Sequence, residues 1–559
     1  MKMQATMLSL IPLIAPFLLL IYAGFLSMNT PQKSRVFKVR EEVIGLVGIL
    51  IALISSVLVF RYGTLQSAVL GWNELGFALR LDVLSVSMFV MISILGFVIL
   101  RFSSNYLEGE KRKGAFFSRL AITIASVELL ILSGNVFQIF FFWVVTSMCL
   151  HSLLIFYRNR PQAVAAARKK FIVARLGDAS LLAAIICIYL SMGTGDLEAI
   201  FSTTQHPDFV MDGLLNWATG LLVIAAALKS AQFPTHGWLI EVVETPTPVS
   251  ALLHAGLLNA GPFLMVRMSF LMIESSTASM MLIVIGGLTA LLASVIFLTQ
   301  PSVKVALGYS SVAHMGFSLL ICGFGVYTAA ILHVVAHSFY KAHAFLSSGS
   351  VIDVVRSRKI KLPKRKGSIL RVTLSISLAL GMYFFFCFLT GIHPNQNFSL
   401  MAIGLIIVMG LSQMLVATVD SHGRVKSMLL AMGMALLVST SFFTLEHGTR
   451  VLLTSQIPEL RQPDFLVRWT IMGLLACYGV VILMQLFAPR LKATDFGFRL
   501  GIHLRNGFYV NVIFDRMIGS LKNEKFKWVN LTVKEQSPSG AGTSTEQIKT
   551  PRAELLLNN

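Results

Sequence analysis

The chain has 559 residues, of which 55% are apolar and only 13% charged, about half the charged share of an ordinary soluble domain, so a water-soluble globule is excluded. At roughly 20 residues per crossing of a bilayer's hydrocarbon core, the apolar content suffices for about fifteen spans. The 46 basic residues outnumber the 26 acidic ones, for a net charge of +20, and such an excess points to nucleic acid, anionic lipid or loops held on the cytoplasmic side, according to where it lies.

Apolar runs occur near 8–26, 43–60, 83–101, 119–133, 135–157, 171–192, 214–232, 248–273, 278–299, 303–323, 328–351, 370–390, 400–419, 428–444 and 467–488. They predict an all-α, polytopic membrane protein with 1–490 as its transmembrane domain. Five cysteines, Cys149, Cys187, Cys322, Cys387 and Cys477, all sit inside these runs without a CxxC pair, so neither a disulfide framework nor a zinc knuckle is expected.

The basic residues alternate between loops. The loops 31–42, 102–119, 158–170, 352–371 and 420–427 carry 4, 4, 5, 8 and 2 of them, whereas the intervening loops carry only Arg61, Arg80, Arg450 and Arg461. Positively charged loops stay in the cytoplasm. The chain is therefore expected in a cell inner membrane with its N-terminus outside and its C-terminus cytoplasmic. In this setting SRKIKLPKRKGSILR (357–371) reads as a topology-setting loop rather than a nucleic-acid patch, and no nucleic-acid partner is expected. After Pro489 the composition turns polar. The segment 491–530 keeps an apolar face suited to lie along the cytoplasmic surface, and 531–559 is too rich in Ser, Thr and Gly to support a packed core.

With no soluble catalytic domain, function is sought in ionisable groups inside the spans, which are costly to bury and are functional candidates by default. Glu128 lies mid-run in ITIASVELLIL, Asp178 follows a glycine in ARLGDASLL, and Lys229 ends LLVIAAALKS. His254, Lys304, His314, His333, His337, Lys341 and His343 follow. In AILHVVAHSFYKAHAFL, His333, His337 and Lys341 are four apart and share one stripe of a helix. Such a row can pass protons stepwise through intervening waters; core histidines satisfied by backbone carbonyls would look the same. Histidines four apart can also hold zinc, but HVVAH lacks the Glu of HExxH and no carboxylate is near in sequence, so no metal site is expected. Beyond Lys229, Pro234 breaks the backbone ladder within an apolar run. The resulting discontinuous helix places an ammonium beside freed carbonyls, an arrangement that relays ions in transporters; snorkelling of Lys229 to the interface is the plainer alternative. No nucleotide loop or nucleophilic triad appears. The chain is therefore expected to be a transport or coupling subunit rather than an enzyme, with no cofactor of its own.

The stretch ALKSAQFPTHGWLIEVVETPTPVSALLHAGLLNAGPFLMVR (227–267) resembles the signature of the antiporter-like subunits of respiratory complex I and of Mrp-type cation/proton antiporters. The likeness extends to ARLGDA (174–179), VKVALGYSSVAHMGFSLL (303–320), HVVAHSFYKAHAFLSSGSVI (333–352) and the tail motif NGFYVNVIFDR (506–516). It implies about 15 transmembrane helices arranged as inverted repeats. It further implies that Lys229 is the central lysine of a broken seventh helix, Lys304 its bridging partner, and His333, His337 and Lys341 a hydrophilic axis, with Asp178 the aspartate of helix six.

Two departures stand out. The family's channel glutamate normally follows the tryptophan of helix five, where FFWVVTSMCLH has Val144; Glu128 is a candidate substitute. The family's charged residue in helix twelve is absent from LALGMYFFFCFLTGIHP (378–394). Within the superfamily, LLHAGLLNAGPFL (252–264) is more similar to the DabB-type subunit of the inorganic carbon accumulation complex than to the respiratory members. That resemblance implies proton conduction paired with a large cytoplasmic, zinc-containing, carbonic-anhydrase-like DabA-type partner. A cation/proton antiporter or complex I-like pumping subunit, and a non-conducting scaffold, remain as alternatives.

Overall fold

The computed structural model describes residues 7–28, 34–242, 245–349, 369–390, 394–421, 425–454, 456–491 and 494–517. The loop at 352–368 and the tail from 518 lie outside the described residues, and with them the expectation of a disordered 531–559. Among the described residues, ten helices are long and apolar enough to cross a membrane: α1 (Met7–Ser27), α2 (Glu41–Tyr62), α3 (Val83–Tyr106), α4 (Lys113–Ile131), α5 (Val136–Leu154), α6 (Gln162–Met192), α8 (Thr247–Arg267), α9 (Ser276–Phe297), α10 (Val303–Gly323) and α15 (Phe465–Leu486). Between them run α7 (Gly213–Lys229), α11 (Tyr327–Leu346), α12 (Ile369–Thr390), α13 (Pro394–Ser421) and α14 (Val425–Leu453). Each helix falls on one of the apolar runs read from the sequence.

The outer faces of these helices carry large apolar side chains such as Phe60, Leu190, Trp217 and Phe388 in exposed positions, as expected of a surface that meets lipid rather than water. Inside, small residues let helices touch. A Cβ on Gly286 would stand 2.6 Å from the Gly316 carbonyl oxygen, and one on Gly316 would stand 2.7 Å from that of Gly286, so α9 and α10 meet backbone to backbone.

The loops sort onto two faces. On one, β1 (Leu65–Gln66) pairs with β4 (Arg80–Leu81) and β2 (Leu70–Trp72) with β3 (Leu75–Phe77), both antiparallel. This small β cap is absent from the sequence reading. It holds an ion network in which the Asp82 carboxylate accepts from Arg80 Nε at 2.8 Å and also from Arg267, while Arg80 pairs with Glu198 as well. Burial alone would raise the Asp82 carboxyl, but the two guanidiniums and the Ser85 backbone N–H together hold it well below the usual carboxylate range. The same face carries the Arg461–Glu274 pair at 2.8 Å. The opposite face carries the basic loops 102–119 and 158–170: Arg112 donates to the Phe156 carbonyl at 2.9 Å and Arg119 to that of Ser152 at 2.8 Å. It also carries two short helices, α16 (Asp495–Arg505) and α17 (Val510–Met517), the described part of 491–530.

Candidate proton path

The break after α7 is built by its sequence. Helical bonding ends at Ser230, Ala231 takes the left-handed conformation with φ +53, and the helix resumes only at Gly237–Glu241. Pro234 has no N–H to offer across this gap, and several of the gap's other polar groups find partners elsewhere. Phe233 N–H donates to Thr289 Oγ1 at 3.1 Å, Gln232 Nε2 to the Ser230 carbonyl at 3.0 Å, and Ser230 Oγ to the Leu258 carbonyl at 3.2 Å. Gly261 permits the close approach of α8, since a Cβ there would collide with Ser230 Oγ and the Ala226 carbonyl. Helix α8 is itself interrupted: Gly256, at φ −122 and ψ −62, separates Thr247–Ala255 from a 3-10 turn at Leu257–Asn259.

Lys229 closes α7 at this break. Its Nζ donates to the Trp143 carbonyl at 3.0 Å and stands 4.3 Å from the centre of the Trp143 ring, so a carbonyl and an aromatic face receive the ammonium where the family has a carboxylate one residue on. Beside it lies a cavity of about 20 Å³ lined by Thr146, Ser147, Lys170, Lys229, Trp238 and Leu257, among others, room for about one water. Lys170 Nζ reaches into it from α6 and donates to Ser147 Oγ at 2.8 Å and to the Ser147 carbonyl at 2.5 Å. Thr146 Oγ1 is buried without a protein partner, and a water in the cavity would satisfy it.

Lys170 was legible only as one of five basic residues of the loop 158–170. In the structure Lys169 and Lys170 already belong to α6, and both are buried. Lys170 therefore belongs to the candidate path rather than to a solvated loop. The sequence signal was the small polar run TSMC on α5, which supplies oxygens where a buried amine needs them.

Asp178 is buried on α6, 2.6 Å from Arg175, and its charge acts on both Lys170 and Lys229. Glu128 is not drawn into this cavity. It is 1% exposed, accepts weakly from Ser93 Oγ at 3.4 Å, and leaves its second oxygen without a partner.

From the cavity, Leu253 and Leu257 lead to His254, which stacks on Phe345 with ring centres 4.2 Å apart. Lys341, wholly buried, donates to the Leu307 carbonyl at 3.2 Å, and its charge acts on His254, His314 and His337. Lys304 stands half-buried in the first turn of α10, one turn before Leu307. No hydrogen bond or ion pair joins it to the row among the described residues. His333 and His337 share the face of α11 expected from their spacing, with ring centres 6.0 Å apart. His314 comes in from α10, its Nδ1 3.2 Å from His333 Nε2 and its ring 4.6 Å from that of His337. Asn259 Nδ2 donates to Ser338 Oγ at 2.7 Å, tying the interrupted α8 to the row.

His236 is a second residue the sequence reading passed over. It is fully buried, stacks on Phe233 at 3.7 Å, and has no protein partner on either ring nitrogen. In the later helices, α12 runs unbroken from Ile369 to Thr390. The cavity it shares with α13 and α14 is lined by Tyr383, Ser439 and apolar side chains, with no charged group.

Residues 133–427 match the family described as NADH:quinone oxidoreductase/Mrp antiporter, TM, and residues 70–117 match the NADH-ubiquinone oxidoreductase (complex I), chain 5 N-terminus. The chain belongs to this antiporter-like family of membrane subunits. Among its relatives, the probable inorganic carbon transporter subunit DabB2 of Halothiobacillus neapolitanus is 33% identical over 526 residues, covering 91% of this chain and 93% of that protein. The probable subunit DabB of Hydrogenovibrio crunogenus is 40% identical over 278 residues, 50% of this chain and 54% of that one. The fold is also that of a chain in the Mrp complex from a Dietzia species, with a TM-score of 0.53 at 22% identity over 90% of this chain and 57% of that one.

Proposed function

We propose that this chain is the proton-conducting membrane subunit of an energy-coupled inorganic carbon uptake complex in the cell inner membrane. In this reading, proton movement through Lys170, Lys229, His254, Lys341 and the histidine row drives CO2 hydration by a large cytoplasmic, zinc-containing, carbonic-anhydrase-like partner. The observation that carries it is the cavity at the α7 break, where two lysine amines on different helices share space for one water, together with full-length similarity to a DabB-type subunit. Two ammonium groups so close repel, so a proton arriving at one favours release from the other. Directed transfer needs no more than that alternation. A partner that only catalyses hydration reaches equilibrium faster without moving it, and the conducted charge supplies the missing work.

The test is radiolabelled inorganic carbon uptake in cells making this chain with a large cytoplasmic, zinc-containing, carbonic-anhydrase-like protein. Uptake that requires both chains and collapses with an uncoupler is the expected result. Persistence after collapse of the proton gradient, or uptake by the partner alone, favours the non-conducting scaffold, a reading to which the absence of Asp, Glu, Lys and Arg from 378–394 lends weight. Sodium-dependent flux without carbon uptake would instead support a cation/proton antiporter.

A further inference from the structure

We propose that His314, His333 and His337 together form a binding site for a borderline divalent transition-metal ion of the Zn2+ class, and that a filled site interrupts the histidine row. The second half of this statement rests on the proton-path reading above; the first does not.

From sequence, HVVAH offered two imidazoles four apart and nothing more. The fold adds a third from the neighbouring helix. One ring nitrogen from each of the three residues lies within 4.8 Å of the other two, and His314 Nδ1 and His333 Nε2 are 3.2 Å apart. A tetrahedral ion with bonds of about 2.0–2.1 Å needs its nitrogens about 3.4 Å from one another. One pair already has that spacing, and the third needs a side-chain rotation of the order of an ångström.

An independent observation comes from His337. It is 4% exposed, yet neither ring nitrogen has a protein partner, and a buried imidazole with two idle nitrogens calls for a ligand. Metal binding requires no net loss of protons from the neutral rings, only the tautomers that leave a lone pair on each facing nitrogen. His314 and His333 are only partly buried and offer an approach, while His337 closes the inner side. Three imidazoles leave a fourth position open for water or hydroxide. Among the described residues no carboxylate joins the trio, and a protonated Lys341, one helical turn along α11 from His337, opposes a bound cation.

The experiment uses the full chain, purified without a polyhistidine tag and titrated with Co2+, whose visible absorption intensifies in tetrahedral coordination. One equivalent per chain is expected to develop the band and Zn2+ to displace it. His337→Gln and His314→Gln should each abolish it, whereas His254→Gln should keep it. Lys341→Met retains all three ligands and should tighten binding by about tenfold or more, the equivalent of 1.4 kcal/mol of relieved repulsion. Absence of a stoichiometric band in both wild type and Lys341→Met, or a band that survives His337→Gln, overturns the site and leaves a bridging water as its occupant. In proteoliposomes Zn2+ should block proton flux in the wild type over the same concentration range in which it displaces Co2+. Stoichiometric Co2+ binding with unaffected flux would keep the metal site and refute the proton path. Flux that depends on Lys229 in a chain that binds no Co2+ would do the reverse.

Discussion

Lys169 Nζ stands 2.6 Å from Asp515 Oδ1, so α6 is clasped to α17 by an ion pair whose side chains are both nearly sealed from solvent. The same ammonium lies 2.5 Å from Glu241 Oε1, at the end of the resumed limb of α7, and Asn511 Nδ2 donates to that carboxylate at 2.7 Å. One lysine therefore joins the C-terminal segment to the broken helix, and its chain neighbour, Lys170, lines the cavity beside Lys229. A partner that shifts α17 would act directly on that cavity.

Asp515→Asn should loosen this clasp. Leaving a buried ammonium with one of two counter-charges costs up to about 3 kcal/mol. We expect earlier proteolysis of the C-terminal segment and reduced carbon uptake, with membrane insertion unchanged. Wild-type uptake together with a freely cleaved tail would show that the clasp is structural only.

Lys229→Met and Lys341→Met should each abolish proton-coupled activity while the protein still inserts, because each removes a buried titratable amine from the row. Proton flux in proteoliposomes checks this, and wild-type rates in both variants would refute a path through these residues.

Lys170→Met separates the cavity from the older candidates. If two amines hand over one proton, flux should fall at least about tenfold, whereas Glu128→Gln should have a smaller effect, since Glu128 faces Ser93 rather than the cavity. The reverse ranking would move the acid–base partner of Lys229 to α4.

Asp82→Asn should destabilise the β-cap face by about 3–5 kcal/mol, because Arg80 and Arg267 lose their shared counter-charge. The Asp82 carboxyl is held below its unfolded value. Its contribution is therefore complete above the ordinary carboxylate range and is lost only as pH falls through the depressed folded value. The difference in melting temperature between wild type and variant should hold from neutral pH to about 4 and shrink only below that. A difference that disappeared between pH 7 and 5 would exclude Asp82 as its source.

A cysteine placed near Lys364 should be shielded from an impermeant reagent in intact cells. Labelling from outside would invert the topology read from the basic loops.

The helices were legible because hydrocarbon demands long apolar runs and leaves little freedom in their length, and the face shared by His333, His337 and Lys341 followed from helical period alone. The β cap was not legible, since its strands of two or three residues have no periodicity to display. Lys169 and Lys170 were misread for a different reason. A basic pair near a loop satisfies the rule for cytoplasmic charge whether or not it is buried, and its burial depends on Ser147, Glu241 and Asp515, which only the fold brings together. His314 was visible as a residue but not as the third member of a trio, because proximity between α10 and α11 is not written in either helix.

The uncharged cavity of α12 bears on energy conversion. If the charged groups form one route through the subunit and the second half offers none, each working stroke carries a single elementary charge. At about 2.3 kcal/mol per charge per 100 mV, that limits the accumulation ratio one stroke can sustain to about fiftyfold for every 100 mV across the membrane. A cell needing a steeper ratio would have to raise its membrane voltage or spend more than one stroke on each molecule it captures.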